Sequence, residues 1–457
     1  MNTLIEVLRR DETTERMRKV QNQDKTSTTT IVVTQQQQQQ HLSWYGVDLS
    51  LVGAVCLYEA VQRGNAQLIR RLAACGARFD SPRVIQDTIA VLTQQLDNNQ
   101  EPTVVLQVLQ ACIEKAALDP QLVLYAVARR RQWAGPATAN ALVQLLTSSN
   151  RGANVNKATA DSDGITPLMM ACRAMHGAMV TALLQHGASI AAKDKVGQTC
   201  LSYTVMDDSP KAPALWNVLL PFIINATTTT GNNLLEMTTN PQYARRTILH
   251  QAVLCLSASR LELFLQTFSG TRINRQAVDQ NGWTALHYAS FVGQDDKVQV
   301  VLQTCRATAA AAAAAVAAAA DDDDDDSNMK MIHATDTTGR TPLHVFGLHS
   351  RVSADTHDFG GFVNCICLSN NKKINQNPPP PPPRRQEPTY WQVDKAIQIL
   401  LLAGADPLVT DHQGNPPWVA TATLLGQHKD DLVHFNSLYQ MISVAALCGG
   451  INATILR

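Results

Sequence analysis

The residues best equipped for chemistry are three histidines, His250, His287 and His344, whose imidazoles could carry protons near neutral pH or ligate a metal. Each follows a threonine by three residues (Thr247, Thr284 and Thr341), so all three occupy one position of a recurring element and share one role. A second grouping, His344, His349, His357, Cys365 and Cys367, has zinc-ligand residue types. Its two cysteines are separated by a single residue and lack a second pair, which fits a C-x2-C finger poorly, and a redox role is no better supported. The chain has no G-x4-G-K-[ST] phosphate loop, no G-x-G-x-x-G, no H-E-x-x-H, no G-x-S-x-G and no kinase HRD. It is therefore expected not to be an enzyme and to need no metal or cofactor.

What positions these histidines is a repeated helix start. Thr166, Thr284 and Thr341 stand where a helix begins, so each hydroxyl can cap free backbone N–H groups, and Pro167 and Pro342 take the first helical position, where no N–H is needed. A glycine two residues earlier suits a hairpin turn, and Gly187 or Gly404 ends the second helix in the same way. Leu168, Ala171, Val180, Leu183 and Leu184 fall on one face at helical spacing. One helix pair cannot bury that face alone, so neighbours must stack.

The unit is clearest from Asp161, DSDGITPLMMACRAMHGAMVTALLQHGASIAAKD; Thr199 of the next copy falls 33 residues after Thr166, and further copies open at Asp279 and Asp336. Gly164-Ile-Thr166-Pro-Leu168, Gly282-Trp-Thr284-Ala-Leu286-His287-Tyr-Ala289 and Gly339-Arg-Thr341-Pro-Leu343-His344 resemble the ankyrin repeat. That family's pattern is D-x-x-G-x-T-P-L-H-x-A, two antiparallel helices and a closing L-L-x-x-G-A, the last supplied here by Leu183-Leu184-Gln-His-Gly187-Ala188 and by Leu401-Leu402-Ala-Gly404-Ala405. The resemblance covers about two thirds of the chain in about nine units, five of them well marked. It implies an all-α solenoid of stacked helix-turn-helix units joined by β-hairpin turns, with disordered insertions. It also implies that the three histidines hydrogen-bond neighbouring backbone, a structural role.

Residues 1–48 are expected to be largely disordered, 50–156 to hold degenerate N-terminal repeats and 157–306 the central repeats. An Ala/Asp insertion at 307–330 precedes the C-terminal repeats of 331–450, which a Pro-rich insertion at 352–388 interrupts, and both insertions have compositions that cannot bury a core. Arg246-Thr247-Ile-Leu249-His250 opens a unit that lacks the preceding glycine.

Charge is balanced, 38 basic against 38 acidic residues, so no global field draws the chain to nucleic acid or to an anionic membrane. The ten cysteines are scattered as reduced thiols, no secretory signal or membrane span is present, and a cytoplasmic or nuclear location is expected. The run Asp321 to Asp326 reads as a solvated spacer, whereas Pro378 to Pro383 followed by Arg384-Arg385 resembles a ligand of SH3 or WW modules.

The expected function is non-enzymatic binding of a partner protein on the concave face of the array, as a scaffold or adaptor. The alternative is the substrate-recognition subunit of a ubiquitin ligase or other multi-protein enzyme, which would need a docking helix. The C-terminal SLYQMISVAALCGGINATILR lacks the leucine-to-cysteine spacing of the box motif that follows some such arrays, and reads as a cap. In the family's pattern the residue between glycine and threonine, and the two before the helix-turn glycine, point toward the groove where variable positions bind. The candidate partner-binding residues are accordingly Trp283, Phe291 and Val292 beside Gln280 and Asn281, with Ile165, Gln198 and Arg340 at corresponding places. Large apolar groups at positions normally wet are what a binding centre requires.

Overall fold

A computed structural model describes residues 49–97, 102–130, 135–148, 152–160, 163–206, 208–230, 233–241, 244–269, 273–303, 330–346, 390–419 and 443. The segments expected to be disordered (1–48, 307–330 except Lys330, and 352–388), His349, His357, Cys365, Cys367, the Pro378–Pro383 tract and all of the proposed C-terminal cap but Ser443 lie outside them. The chain divides into two compact units, Met1–Val155 and Asn156–Arg457.

Unit 1 is built from α1 (Leu49–Gln62), α2 (Ala66–Ala74), α3 (Pro82–Asp97), α4 (Pro102–Lys115), α5 (Pro120–Ala128) and α6 (Pro136–Ser148). Four of these helices open on proline, which supplies helical φ where no N–H is required, and Asn65 and Asp119 cap α2 and α5 through the Leu68 and Gln121 amides. The odd-numbered helices pack on one another, as do the even-numbered ones, so helix pairs stack side by side. Leu57, Val61, Ile69, Leu72, Val108, Leu109, Leu124, Leu142 and Leu146 fill the space between them. Two glutamines clamp one pair to the next: Gln95 donates to the Val61 and Gln62 carbonyls (3.0 and 3.2 Å), and Gln121 bonds both backbone groups of Asn154 (3.2 and 2.9 Å).

Unit 2 repeats a hairpin loop, a short inner helix and an outer helix. The inner helices are α7 (Pro167–Arg173), α9 (Cys200–Val205), α11 (Ile248–Cys255), α13 (Ala285–Val292) and α15 (Pro342–Val345). Their outer partners are α8 (Gly177–Gln185), α10 (Ala212–Thr230), α12 (Ala258–Thr267), α14 (295–303) and α16 (Tyr390–Leu402). Each inner helix begins one residue after a threonine whose extended backbone makes it the N-cap, as the sequence requires. The inner helices stack in chain order, α13 on α15 included, so the segment after residue 303 leaves the register intact. Trp216 of α10 is fully buried, edge-on to Phe264 of α12 at 5.3 Å, with its indole N–H on Thr204 Oγ1 at 3.0 Å. No strand occurs among the described residues. The expected β-hairpins are loops closed by one or two hydrogen bonds each, too few to make a strand ladder, such as Thr239 N–H to the Arg246 carbonyl at 3.0 Å.

Candidate partner-binding edge

Four of the six hairpin loops of unit 2 are organised by an aspartate at their entry, and in the other two Thr159 and Thr239 accept at Oγ1 from the Ile165 and Arg246 amides (3.1 and 3.0 Å). Asp279 Oδ1 accepts from the Asn281 and Trp283 amides (both 2.8 Å), Oδ2 accepts from the Tyr288 hydroxyl (2.7 Å), and the Asp279 N–H donates to the Trp283 carbonyl (3.0 Å). Asp194 does the same with Val196, Gln198 and Tyr203, and the Asp336 and Asp411 carboxylates anchor the last two loops on amides two and four residues on. A short polar side chain that bonds backbone two residues on is the Asx solution to a tight turn. Burial raises the Asp194 and Asp279 carboxyls above the usual carboxylate range, against the lowering effect of the tyrosine hydroxyl and the loop amides.

The loops are joined tip to tip by backbone. Lys195 N–H donates to the Asp163 carbonyl (3.1 Å), Asn240 to Val196 (2.9 Å), Gln280 to Ala244 (2.8 Å), Thr337 to Asn281 (2.9 Å) and His412 to Thr338 (3.0 Å). Six loops therefore form one continuous hydrogen-bonded row. At two points of this row no side chain fits: a Cβ on Gly197, whose φ is +88°, would lie 2.6 Å from the Asn240 backbone nitrogen, and one on Gly339, whose φ is +78°, 2.6 Å from the His412 ring and 2.9 Å from its backbone nitrogen. Only glycine satisfies both the turn and the approach.

Beneath the row the three histidines have the structural role that the resemblance implied. His250, His287 and His344 each accept at Nδ1 from the N–H of the capping threonine (3.1 Å in every case). That leaves Nε2 as the protonated nitrogen, which donates across the repeat boundary to the carbonyls of Ala277, Arg340 and Asn415 at 3.0, 3.1 and 3.2 Å. Burial lowers the pKa of His250 and His287 to about 4 and also lowers that of His344. All three imidazoles are thus neutral at physiological pH, with both nitrogens committed.

The candidate binding residues separate into two groups. Ile165, Gln198, Trp283 and Phe291 are buried; Gln280 is exposed, and Asn281, Val292 and Arg340 are half-buried. The expectation that Trp283 and Phe291 stand at wet positions is corrected by their burial, 7% and 6% exposed. Trp283 packs on Phe291 (5.6 Å), meets Tyr288 edge-on (5.2 Å), and donates its indole N–H to Asp336 Oδ2 of the following loop at 3.2 Å. The position between glycine and threonine thus reaches forward into the next repeat. Arg340 does likewise, with Nε 3.8 Å from Asp411 Oδ2.

One residue at that position escaped the sequence reading. Arg246 is fully buried, its Nε donates to the Tyr288 hydroxyl at 2.9 Å, and its guanidinium lies over the Tyr288 ring at 5.3 Å. Because Tyr288 in turn donates to Asp279, a buried cation and a buried carboxylate are linked through one phenol. Thr247 and His250 already set the register in the sequence, but without the glycine before it Arg246 was not matched to Trp283 and Arg340. Among the described residues no cluster of His, Cys, Asp or Glu could hold a metal ion, and no helix is long and apolar enough to cross a membrane.

The family described as ankyrin repeats (3 copies) matches residues 133–215. The chain contains ankyrin repeats. Their described fold, helical throughout, is the ankyrin-repeat fold, and ankyrin repeats are protein-interaction modules. Among solved structures, the ankyrin repeat domain of Bcl-3, a unique member of the IκB protein family, is similar at 18% identity, over 71% of this chain and 94% of that one, with a TM-score of 0.38. No curated protein matches the chain.

Proposed function

We propose that this chain is a non-enzymatic scaffold or adaptor that binds partner proteins along the exposed edge of its ankyrin hairpins. The observation that supports this reading is a contrast between equivalent positions. Loop-anchoring aspartates, capping threonines and boundary-crossing histidines recur, whereas the tips on the same backbone row carry Lys195, Gln280, Thr337 and His412, all exposed. One rigid frame that shows a different side chain at each step suits recognition of an extended partner. Of the predicted residues, Gln280, Asn281, Val292 and Arg340 keep surface for contact, while Ile165, Gln198, Trp283 and Phe291 hold the frame beneath.

None of the six described cysteines is in a disulfide, which fits a reducing compartment, cytoplasmic or nuclear. The Pro378–Pro383 tract would add a docking element for an SH3 or WW module.

The test is quantitative crosslinking of the full-length chain in cells, wild type against Gln280→Arg combined with Thr337→Arg. Crosslinked partners should fall at least about fivefold, while stability stays within about 0.5 kcal/mol because both sites are exposed. Undiminished crosslinking by the folded double variant overturns the reading.

A further inference from the structure

We propose that the first half of the hairpin row, which ends at Arg245, is a docking edge for an acidic, extended segment of a partner protein. The inference rests on the interaction reading above and names the chemistry of the partner.

Two independent observations carry it. The first is backbone strain. Five hairpins place glycine two residues before the helix cap, at Gly164, Gly197, Gly282, Gly339 and Gly414, all with positive φ between 64° and 88°. The sixth hairpin puts Arg245 there, at φ +50°, directly after Ala244 at φ +64°. Two consecutive left-handed non-glycine residues are costly, and such strain persists where the side chain is needed. Arg245 makes no buried contact that would repay the cost, because its side chain is exposed; the neighbouring Arg246 is the one that enters the core.

The second observation is where the exposed cations lie. Lys193 and Lys195 flank the preceding loop, with Lys193 Nζ on the Thr238 carbonyl at 3.0 Å and the Lys195 carbonyl accepting from Asn240 Nδ2 at 2.7 Å, so both sit against the loop that ends in Arg245. Lys157 is exposed one loop earlier, on a segment that Asn156 fastens to the Gly187 carbonyl and the Ser189 amide (3.0 and 2.7 Å). Among the described acids of these loop segments, Asp194 is buried on its own loop amides and Tyr203, Asp163 is half-buried, and only Glu236 is exposed, against four exposed cations, Lys157, Lys193, Lys195 and Arg245. From Gln280 onward the exposed tips are uncharged or carry imidazole, as Thr337, Thr338, His412 and Gln413 do, and half-buried Arg340 is turned onto Asp411, so the run of exposed cations ends with Arg245.

Spacing favours one kind of ligand. Packed helices sit about 8–10 Å apart, which sets the step from one hairpin to the next. A polyproline II segment returns the same face every third residue, a rise of about 9 Å, so an acid at every third position meets one hairpin per turn. Among the described residues the first half of the row carries no exposed aromatic ring on which bases could stack, which disfavours single-stranded nucleic acid there.

The experiment is fluorescence anisotropy of the full-length chain with labelled (Glu-Pro-Pro)6, with (Lys-Pro-Pro)6 and oligo(dT) as comparison probes. The acidic peptide should bind, and Arg245→Gly should weaken it about three- to fivefold, the range of an exposed ion pair. Lys193→Glu with Lys195→Glu should weaken it at least about tenfold, and raising salt should do the same. Arg245→Gly relieves strain and so keeps the fold, which makes its binding loss interpretable. Absence of acidic-peptide binding, binding unchanged in Arg245→Gly, or equal affinity for oligo(dT) overturns the acidic-partner inference. The interaction reading is judged separately by the Gln280→Arg, Thr337→Arg crosslinking, since those tips lie outside the cationic half.

Discussion

Unit 1 and unit 2 stack helix pairs in the same way but hold the stack together by different means. In unit 1 the pairs are clamped by glutamine side chains that reach neighbouring backbone, as Gln95 and Gln121 do. In unit 2 the work falls to aspartate-anchored loops, histidines that cross each boundary and a tip-to-tip backbone row. Apolar burial supplies the stack in both, whereas only the second device fixes a rigid outward edge. The proposed recognition along hairpins therefore belongs to unit 2, and the two units should respond differently to acid, to added volume at glycines and to loss of ring contacts.

The largest difference is expected with pH. His250 and His287 have folded pKa values of about 4 against about 6.5 in the unfolded chain, so the unfolded state takes up protons first as pH falls. The stability they contribute is complete above pH 6.5 and is lost as pH drops toward 4, at about 2 kcal/mol for each imidazole between pH 7 and 5. Asp194 and Asp279, raised in the fold, oppose the trend by gaining protons in the native state. Residues 49–155 contain no histidine. Hydrogen exchange, corrected for intrinsic pH dependence, should show opening of unit 2 at pH 5 with unit 1 still protected; parallel loss in both would break the comparison.

Next is Trp283→Ala. Removing a buried indole that packs on Phe291 and Tyr288 and bonds Asp336 should cost about 3–5 kcal/mol, seen as a fall in the urea midpoint. An unchanged midpoint with weakened partner binding would restore the surface-anchor role that burial argues against.

A matched glycine pair sharpens the contrast further. Gly339→Ala should cost about 3 kcal/mol, because strain at φ +78° adds to a clash with the His412 backbone. Gly76→Ala in unit 1 meets nothing within 4 Å at φ +96°, and should cost only about 1–2 kcal/mol of conformational strain. Equal melting shifts would mean that the hairpin row is not a tight backbone approach at all.

The smallest effect has the opposite sign. Arg245→Gly should stabilise unit 2 by up to about 1 kcal/mol, since glycine tolerates the left-handed tip. A lowered melting temperature would show that the Arg245 side chain holds the fold and undercut its reading as a strained surface residue.

Most of unit 2 was legible in the sequence because its signals are local. Thr166, Thr199, Thr284 and Thr341 each start a helix two residues after the glycine that shapes the preceding turn, Thr247 keeps its cap position without one, and cap and turn chemistry depends only on near neighbours. The shared position of the three histidines was equally visible, since Thr-x-x-His is a fixed local spacing. Unit 1 was harder: its clamps, Gln95 on Val61 and Gln121 on Asn154, join residues more than thirty positions apart and belong to no local pattern.

What only the tertiary structure decided is the direction of the side chains between glycine and threonine. By sequence, Trp283, Arg340, Ile165 and Gln198 were equivalent points on an open groove. In the fold Trp283 reaches Asp336, Arg340 approaches Asp411, and the overlooked Arg246 reaches Tyr288. Whether such a residue faces water or its neighbour depends on which acid, phenol or ring the next repeat presents, 42 to 71 residues away along the chain. Local propensity carries no information across that distance; the stacking of one helix pair on the next creates the partner and thereby decides the burial.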